Sequence, residues 1–347
     1  MIASADLDAR LEQLSSEVDA WTRSFFERYR PTAERFAGML SYPLGWVDSD
    51  LRRLAQPTPA GKRLRPVLCL LVCEAVGGDH RPALAAAAAI ELIHNFSLVH
   101  DDIQDESPLR RGRPTVWARW QTAQAINVGD GLFALGQLAL LQDTAGPSNL
   151  LVECLARLSV TCLRLVEGQF LDLELQSAGS ASLKAYQTMI SGKTAALLEC
   201  SAWLGARFGG AEPERAERFA GFGRDLGLAF QSQDDLLGVW GDPALTGKSA
   251  DADLRSRKQA LPAVLALQAT GPAAERFREA FTRDGEMVAQ DLLAARAALE
   301  TLGIRRQVEQ MVEQEYRRAG CGLRSALGDQ PDSVLWALVR YFRERAS

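Results

Sequence analysis

Two short stretches of this 347-residue sequence place carboxylates side by side inside otherwise apolar segments. The first stretch runs from His94 to Asp105 and contains DDIQD, and the second runs from Phe230 to Gly238 and contains DDLLG. On a helix, Asp101 and Asp105 share one face, and His94 lies close to two turns before Asp101. Neighbouring carboxylates repel one another unless a proton or a cation lies between them. Mg²⁺ is commonly shared between one or two carboxylates and substrate phosphates, so the two clusters predict a Mg²⁺ and phosphate site.

Basic segments accompany both acid clusters. GKRLRP, at residues 61–66, carries three cations next to a predicted helix start, and RRGRP, at residues 110–114, directly follows the first cluster. Lys248 and Lys258 follow the second cluster. Arginine and lysine next to a bound metal ion suit a diphosphate. Either acid cluster alone is equally well explained as a solvated helix end, and any one cation as a surface charge. The alternation of acid and base around apolar helices favours the diphosphate site.

The elements that must position these residues are helices almost throughout. Residues 84–100 are rich in alanine, the residue with the highest helix propensity. Apolar side chains recur at spacings of three and four over residues 150–175, 181–208, 212–240, 272–301, 303–327 and 332–346. We predict an all-α fold, with about a dozen mostly antiparallel helices in a single large bundle around a central cavity. One domain over residues 1–347 is expected.

Composition excludes several classes of protein. There are 39 Lys and Arg against 44 Asp and Glu, a net charge of −5, which argues against a nucleic-acid-binding protein. The six cysteines form no Cys-x-x-Cys pair, and the three histidines are not clustered with them, so reduced core thiols are favoured over zinc. The first residues lack the features of a signal peptide, and the longest apolar stretch, residues 84–90, ends at Glu91. We therefore predict a cytoplasmic protein without stable membrane insertion.

The motifs together resemble a known family, the trans-isoprenyl diphosphate synthases, or polyprenyl synthetases. In family order from Gly61 to Pro262, they read GKRLRP, DDIQDESPLRRGRPTVW, EGQFLDLE, SGKTAALLE, FQSQDDLLGVWGD and GKSADADLRSRKQALP. DDxxD followed by RRG is highly specific in this context, whereas DDxxD alone is shared with class I terpene cyclases. The resemblance implies an isoprenoid synthase-like helical fold and a homodimer.

The resemblance also implies a role for each matching residue. The residues implied to bind Mg²⁺ are Asp101, Asp105 and Asp234, with three ions per active site. The residues implied to serve catalysis are Asp101, Asp102, Asp105, Lys193, Asp234 and Asp235. The residues implied to bind the diphosphate of isopentenyl diphosphate are Lys62, Arg65, His94 and Arg111. Those implied to line the allylic diphosphate site are Arg110, Lys193, Thr194, Gln231, Lys248 and Lys258.

Three further features bear on this assignment. Gly192, beside Lys193, suggests a local break of the helix, and a broken turn frees a backbone carbonyl. Gln169 and Asp172 match the family pattern and are interpreted as hydrogen-bonding groups around the site or as a polar helix face. Gly238 replaces the usual last aspartate of the second motif, and Asp242 lies just beyond it as a partial substitute.

The implied activity is short-chain trans-prenyl transfer. Isopentenyl diphosphate would condense with dimethylallyl, geranyl or farnesyl diphosphate and release diphosphate. Phe96, with the small Ser97 beside it, resembles the pattern of enzymes that make geranylgeranyl diphosphate, and farnesyl diphosphate is the nearest alternative product. The competing hypotheses are a class I terpene cyclase, which has no need of an isopentenyl diphosphate site, and a catalytically weak regulatory subunit of a prenyl synthase.

Overall fold

The computed structural model describes residues 4–56, 58, 63–142, 148–179, 181–242, 251–283, 285–328, 330 and 333–344. This part of the chain contains fourteen α-helices of eight residues or more, and its strands are a two-residue pair. The predicted all-α fold class is therefore confirmed.

The chain divides into two compact units. The first comprises Met1–Cys162, Cys200–Ala220 and Ala326–Ala337, and the second comprises Leu163–Glu199, Gly221–Ser325 and Leu338–Ser347. The prediction of one domain over residues 1–347 stays a prediction.

The first unit holds the helices that lead to the first acid cluster. They are α1 (Ser4–Arg28), α2 (Glu34–Ser41), α3 (Leu64–Gly77), α4 (Leu84–Gln104) and α5 (Val116–Leu140). α6 (Ser148–Ser177), α8 (Ala196–Phe208) and α9 (Pro213–Trp240) each contribute one part to this unit. Helices α3 and α4 pack on each other and on α1, and α4 also packs extensively on α5. α4 is the core of this unit.

Helix α4 is buried because it is apolar on every side. The side chains of residues 85–93 are all buried, and Glu91 among them is held by Arg63 and Asn95. Helix α4 and the 3₁₀ turn before it form the segment Arg81–Gln104, which is long and apolar enough to span a membrane. The uninterrupted apolar stretch at residues 84–90 did not predict this, because it is only part of that segment. However, 78% of the most apolar part of the whole segment is buried inside the protein, as in a core helix.

A small hairpin follows α4 and was absent from the predicted secondary structure. β1 (Leu109–Arg110) pairs antiparallel with β2 (Arg113–Pro114), so Arg111 and Gly112 form the two-residue loop. Both loop residues have positive φ, 52° and 74°, as a type I′ turn requires. Glycine adopts this conformation without strain, which explains the glycine of the RRG motif.

The second unit holds the helices around the second acid cluster. Besides parts of α6, α8 and α9, they are α7 (Leu183–Ile190), α10 (Leu261–Gln268), α11 (Pro272–Thr282), α12 (Ala289–Thr301), α13 (Ile304–Leu327) and α14 (Val334–Glu344). A single helical turn, Ala252–Arg255, lies between α9 and α10. The predicted helix over residues 272–301 was wrong in one respect: it is two helices. Arg283 leaves α11 in an extended conformation and Gly285 has φ of 89°, so the chain turns there.

The predicted break at Gly192 is a π-helical segment. α7 is followed directly by five residues of π-helix, Ser191–Ala195, and then by α8. π-Helical turns of this kind occur mostly as short insertions in α-helices, frequently at functional sites. This segment carries Lys193 and Thr194, two of the residues assigned to substrate binding.

Candidate active site

The first acid cluster lies at the C-terminal end of α4. Asp101 is half-buried, Asp105 is exposed and caps the helix, and the Asp105 amide donates to the Asp101 carbonyl at 2.8 Å. α4 ends at Gln104, but the bond from the Asp105 amide continues the helical pattern by one residue, so Asp105 lies one turn beyond Asp101 as the spacing predicts. These two side chains are therefore placed to present oxygen ligands together.

Asp102 has a different environment from its neighbours. Its side chain is buried, with 4% exposure, and Arg110 from the hairpin binds its Oδ1 through Nε at 2.8 Å and Nη2 at 2.7 Å. Burial raises the pKa of the Asp102 carboxyl, the nearby charge of Asp105 adds to the rise, and Arg110 opposes it. The role of Asp102 here is to anchor the hairpin to α4, which positions Arg110 and Arg111 beside the cluster.

Arg65 and His94 form a second polar group in the same unit. Arg65 at the start of α3 places Nη1 3.4 Å from His94 Nε2 on α4. Burial, followed by the charges of Arg65, Arg111 and Arg110, holds the pKa of His94 well below its usual value. The imidazole is therefore neutral at pH 7, and its Nε2 accepts from the guanidinium. Lys62, assigned to the same diphosphate, lies outside the described residues.

Phe96 and Ser97, the two residues expected to bear on product length, lie on α4 about one turn before the acid cluster. Phe96 is buried, and its ring meets Phe133 of α5 at a centroid distance of 5.3 Å and His100 at 5.1 Å, both edge-on. Ser97 is also buried, and its hydroxyl donates to the His94 carbonyl at 2.8 Å. The bulk at position 96 is therefore packed between α4 and α5.

The second acid cluster has one exposed and one buried aspartate. Asp234 on α9 is exposed, whereas Asp235 is 1% exposed. Both Asp235 oxygens accept hydrogen bonds: Oδ2 from the Tyr186 hydroxyl at 2.7 Å and the Leu261 amide at 2.8 Å, and Oδ1 from Gln231 Nε2 at 2.8 Å. Asp235 thus holds α7, α9 and α10 together, and Asp234 carries the carboxylate that faces solvent.

The π-helical segment is tied to this cluster through its side chains. Thr194 donates from Oγ1 to Gln231 Oε1 at 2.6 Å, and Lys193 Nζ donates to Asp172 Oδ2 at 2.5 Å. Gln169, one turn before Asp172, is buried, and neither of its amide atoms has a hydrogen-bond partner among the described residues. Buried polar atoms of this kind are normally satisfied by water or a bound group. Lys193, Thr194 and Gln231, three of the residues assigned to the allylic site, are therefore held by hydrogen bonds within the second unit.

Lys258 is the other cation of this group. Its Nζ lies 3.9 Å from Asp235 Oδ1. Burial alone would lower the pKa of Lys258, but the carboxylates of Asp235, Asp253, Asp172 and Asp234 together raise it above its usual value. The Lys258 ammonium is therefore protonated, and the charges of four carboxylates stabilise it. Lys248 lies outside the described residues.

The structure explains how the sequence accommodates Gly238. A Cβ at this position would lie 2.1 Å from Asp253 Oδ2, so the Asp253 carboxylate occupies the space that a longer side chain would fill. The carboxylate found beside Gly238 belongs to Asp253, and the interpretation of Asp242 as a partial substitute stays a prediction. Asp253 lies in the motif GKSADADLRSRK, but its proximity to Gly238 depends on the fold and could not be read from the spacing.

Two glycines bring the π-helical segment into direct contact with α6. A Cβ on Gly168 would lie 2.1 Å from the Lys193 amide nitrogen, and one on Gly192 would lie 2.5 Å from the Arg164 carbonyl oxygen. We expect Gly168→Ala to displace Lys193, to lower turnover and to destabilise the protein by roughly 1–3 kcal/mol, the usual cost of overpacking. Thermal melts and kcat measurements test this expectation.

Gly221→Ala is the matched control for that substitution. Gly221 also lies in a helix of the second unit, and no atom lies within 4 Å of a Cβ built there. Alanine should therefore raise the free energy of unfolding by about 0.5–1 kcal/mol, because glycine loses more conformational freedom on folding. Equal behaviour of the two variants would contradict the proposed contact at Gly168.

Each acid cluster, taken by itself, offers carboxylates that suit a divalent cation completed by its substrate. Asp101, Asp105 and Asp234 supply carboxylate oxygens, the ligands that Mg²⁺ prefers, and each is at least partly exposed. Over the described ranges, no three acidic, histidine or cysteine side chains form a ready-made metal site.

Known proteins are similar to this chain in sequence and in fold. A family model described as Polyprenyl synthetase matches residues 50–297. The chain is 37% identical over 301 residues to geranylgeranyl diphosphate synthase of Mycobacterium tuberculosis (strain ATCC 25618 / H37Rv), covering 87% of this chain and 85% of the relative. It is 37% identical over 311 residues to (2E,6E)-farnesyl diphosphate synthase of the same strain, covering 88% and 85%.

The same relationship holds for a solved structure. The polyprenyl synthetase of Streptomyces coelicolor A3(2) matches the chain with a TM-score of 0.88 and 34% sequence identity, covering 99% of this chain and all of that one. The match includes the segments that carry both acid clusters, the basic motifs and the π-helical segment. The protein is a prenyltransferase and belongs to the polyprenyl synthetase family.

Proposed function

We propose that the protein is a short-chain trans-prenyltransferase that condenses isopentenyl diphosphate with allylic diphosphates, with geranylgeranyl diphosphate as its main product and farnesyl diphosphate as the nearest alternative. The observation that carries the proposal is the placing of Arg65 and the neutral His94 in the same unit as the Asp101 and Asp105 pair. This supplies a second anion site beside the carboxylates, as a reaction with two diphosphate substrates requires.

In this proposal, side chains of the protein position the two diphosphate substrates and stabilise the charge that develops during the reaction. Arg65, Arg111 and Lys62 bind the isopentenyl diphosphate, and the neutral His94 donates a hydrogen bond or accepts one without adding repulsion to those cations. Lys193, Thr194 and Lys258 hold the allylic diphosphate, and Asp172 fixes the Lys193 ammonium through its hydrogen bond. Positioning and electrostatic stabilisation of this kind account for catalysis without a side-chain base.

Members of this family use divalent metal ions with diphosphate substrates. In this chain we propose Mg²⁺, three ions per active site, bound by Asp101, Asp105 and Asp234, with Asp253 contributing a carboxylate beside Gly238. Ions held by these carboxylates would neutralise the charge of the allylic diphosphate and so make it a better leaving group.

The bond changes follow from this arrangement of charge. The C1–O bond of the allylic substrate breaks, and its electron pair leaves with the diphosphate. The double bond of isopentenyl diphosphate then forms the new bond to C1. A proton lost from the adduct passes to the released diphosphate and restores a double bond. Opened backbone hydrogen bonding in the π-helical segment Ser191–Ala195 would leave a carbonyl for the developing cation.

The direct test is a product analysis. The purified protein is incubated with labelled isopentenyl diphosphate, Mg²⁺ and, in turn, dimethylallyl, geranyl or farnesyl diphosphate, and the products are sized after removal of the diphosphate. We expect a C20 product from every primer. A C15 product that is not extended would replace the geranylgeranyl assignment with farnesyl diphosphate, and products longer than C20 would contradict both.

Phe96 provides the prediction about product length. We propose that the growing chain runs along α4 toward this ring, which lies against Phe133. One helical turn spans about 5.4 Å, close to one isoprene unit, so removing the ring should let the chain grow further. We expect Phe96→Ala to shift the main product by about one isoprene unit or more and to largely retain turnover. An unchanged product in that variant would show that another residue stops elongation.

The proposed assembly is a homodimer in the cytoplasm. Helix α6 carries exposed apolar side chains on one face, at spacings of three, four and eight residues: Val152, Val160, Leu163, Val166 and Phe170. An apolar row of this length on a surface helix marks an interaction site. We expect light scattering to give the mass of a dimer and Leu163→Asp, with Val166→Asp, to give a monomer. A wild-type monomer would contradict this assembly.

The second candidate is a class I terpene cyclase. Such an enzyme needs the acid clusters and the allylic site but has no second diphosphate to bind. The Arg65 and His94 pair, together with Arg111, argues against it.

A further inference from the structure

A cavity of about 630 Å³ lies in the first unit, between α1, α2 and the segment that follows α2. Its volume is within the range of small-molecule sites. Four arginines line it, namely Arg23, Arg30, Arg35 and Arg53. Of the residues assigned to the two acid clusters and to both diphosphate sites, none that the structure describes lines this cavity. Neither the family motifs nor the proposed reaction gives these arginines a role.

The charges of the cavity leave an excess of cations. Glu27 and Glu34 also line it, and Asp19 pairs with Arg23 from outside the lining, so among the described residues four arginines face three carboxylates. Glu34, the first residue of α2, is bound at 2.6 Å by Arg30 from the loop between α1 and α2, and both side chains are exposed. Arg35 and Arg53 are exposed, and no ion pair engages them among the described residues. An anion is therefore the ligand that this lining favours.

Arg23 adds a buried donor to the site. Its Nε binds Asp19 Oδ2 at 2.6 Å, and its guanidinium lies over the Trp46 ring, 4.8 Å from the centroid. Its Nη2 is buried and has no hydrogen-bond partner among the described residues. A buried N–H of a charged group without an acceptor is costly, and a bound anion would satisfy it. Arginine is the residue best suited to phosphate oxygens.

A hydrogen-bonded turn over residues 47–53 forms one side of the cavity wall. Asp48 Oδ1 accepts from the amides of Asp50 and Arg52, each at 2.9 Å, and Val47 and Arg53 form a backbone bridge. Leu51 between them has φ of 64°, a conformation that costs free energy in a residue with a side chain. This turn fixes the backbone that carries Arg53 at the cavity.

Hydrogen bonds join the cavity to the basic motif before α3. Asp19 accepts from Arg23 and from Trp46 Nε1 at 2.9 Å, both of which line the cavity. The same carboxylate accepts from Arg63 Nη2 at 2.6 Å, and Arg63 lies two residues before Arg65. An anion bound at Arg23 is therefore two side chains away from the motif GKRLRP.

We propose that this cavity is a binding site for a phosphate-bearing anion, separate from the two substrate diphosphate sites. Arg35 and Arg53 bind its exposed oxygens, and Arg23 Nη2 binds its buried oxygen. The exchange of an unpaired buried donor for a charge-assisted hydrogen bond provides part of the binding free energy.

The test uses inorganic diphosphate as the probe and the full chain in EDTA, so that binding through divalent metal ions is removed. Isothermal titration compares the wild type with the double variant Arg35→Gln/Arg53→Gln. Arg52→Gln is the matched control, because Arg52 is exposed next to Arg53 but does not line the cavity. A third variant, Arg65→Gln, reports binding at the proposed isopentenyl diphosphate site. Thermal melts of all four proteins establish that each is folded.

We expect the dissociation constant to rise about tenfold or more in the double variant and to remain within twofold in Arg52→Gln. A component of binding should also persist in Arg65→Gln. Absence of diphosphate binding to the wild type would overturn the proposal, as would equal affinity of the wild type and the double variant. Equal weakening by Arg52→Gln would show general charge attraction in place of a site. Loss of all binding in Arg65→Gln alone would assign the anion to the substrate site.

Discussion

Replacing Asp101 with alanine should lower turnover by about 10³-fold, with little change in the melting temperature. Asp101 and Asp105 share the exposed end of α4, and loss of one carboxylate removes a ligand of the proposed Mg²⁺. Metal-ion stabilisation of a leaving group contributes several kcal/mol, and about 4 kcal/mol corresponds to this loss of rate. The measurement is kcat with saturating Mg²⁺, isopentenyl diphosphate and farnesyl diphosphate.

Asp130→Ala is the matched control for Asp101→Ala. Asp130 is an exposed aspartate on α5, with its Oδ1 3.8 Å from His100, and it belongs to neither acid cluster. Its replacement should leave turnover within about twofold, since surface substitutions of this kind have small effects. Near-normal turnover by Asp101→Ala in the presence of a chelator would refute the role of this cluster.

The adjacent aspartates of the second cluster should give opposite phenotypes. Asp234→Ala should lower turnover about 10²- to 10³-fold and leave the melting temperature unchanged, because Asp234 is exposed. Asp235→Ala should instead destabilise the protein by about 3–5 kcal/mol, the range seen when one partner of a buried charged network is removed. The Tyr186 hydroxyl, the Leu261 amide and the Gln231 amide lose their acceptor in that variant, and Lys258 loses an ion-pair partner.

A drop of roughly 5–10 °C in the melting temperature of Asp235→Ala corresponds to that loss. Tyr186→Phe is the control, since it removes one hydrogen bond to Asp235 and leaves the carboxylate in place. It should cost about 1 kcal/mol. If Asp235→Ala melts like the wild type and loses activity as Asp234→Ala does, then Asp235 is a metal ligand and not the support inferred from its contacts.

The sequence predicted those features that depend on residue type and short spacing. The all-α class follows from apolar side chains at spacings of three and four, and the family follows from motifs that are contiguous in the chain. The break at Gly192 was also foreseen, since glycine weakens a helix locally. Its form as a π-helical turn was not, because that depends on Gly168 of α6 admitting the Lys193 backbone.

The features that escaped prediction depend on contacts between distant residues. The motif DD gives no sign that Asp235 is enclosed by Tyr186 and Leu261 whereas Asp234 is exposed. The carboxylate beside Gly238 comes from Asp253, fifteen positions later in the chain. The type I′ hairpin that brings Arg110 to Asp102 is only two residues long on each strand, too short for an alternating pattern. Asp19 and Arg23 are one turn apart on α1, but Arg63 reaches Asp19 only because α1 packs on α3 and α4.

The central claim is that the carboxylates and the Arg65 and His94 pair serve one condensation of two diphosphates. The most direct measurement is diphosphate release from farnesyl diphosphate with Mg²⁺, made with and without isopentenyl diphosphate. We predict that release depends on isopentenyl diphosphate and that one diphosphate appears for each isopentenyl unit incorporated. Release from farnesyl diphosphate alone at the same rate would contradict the account and favour a cyclase, and no release under either condition would favour a regulatory subunit.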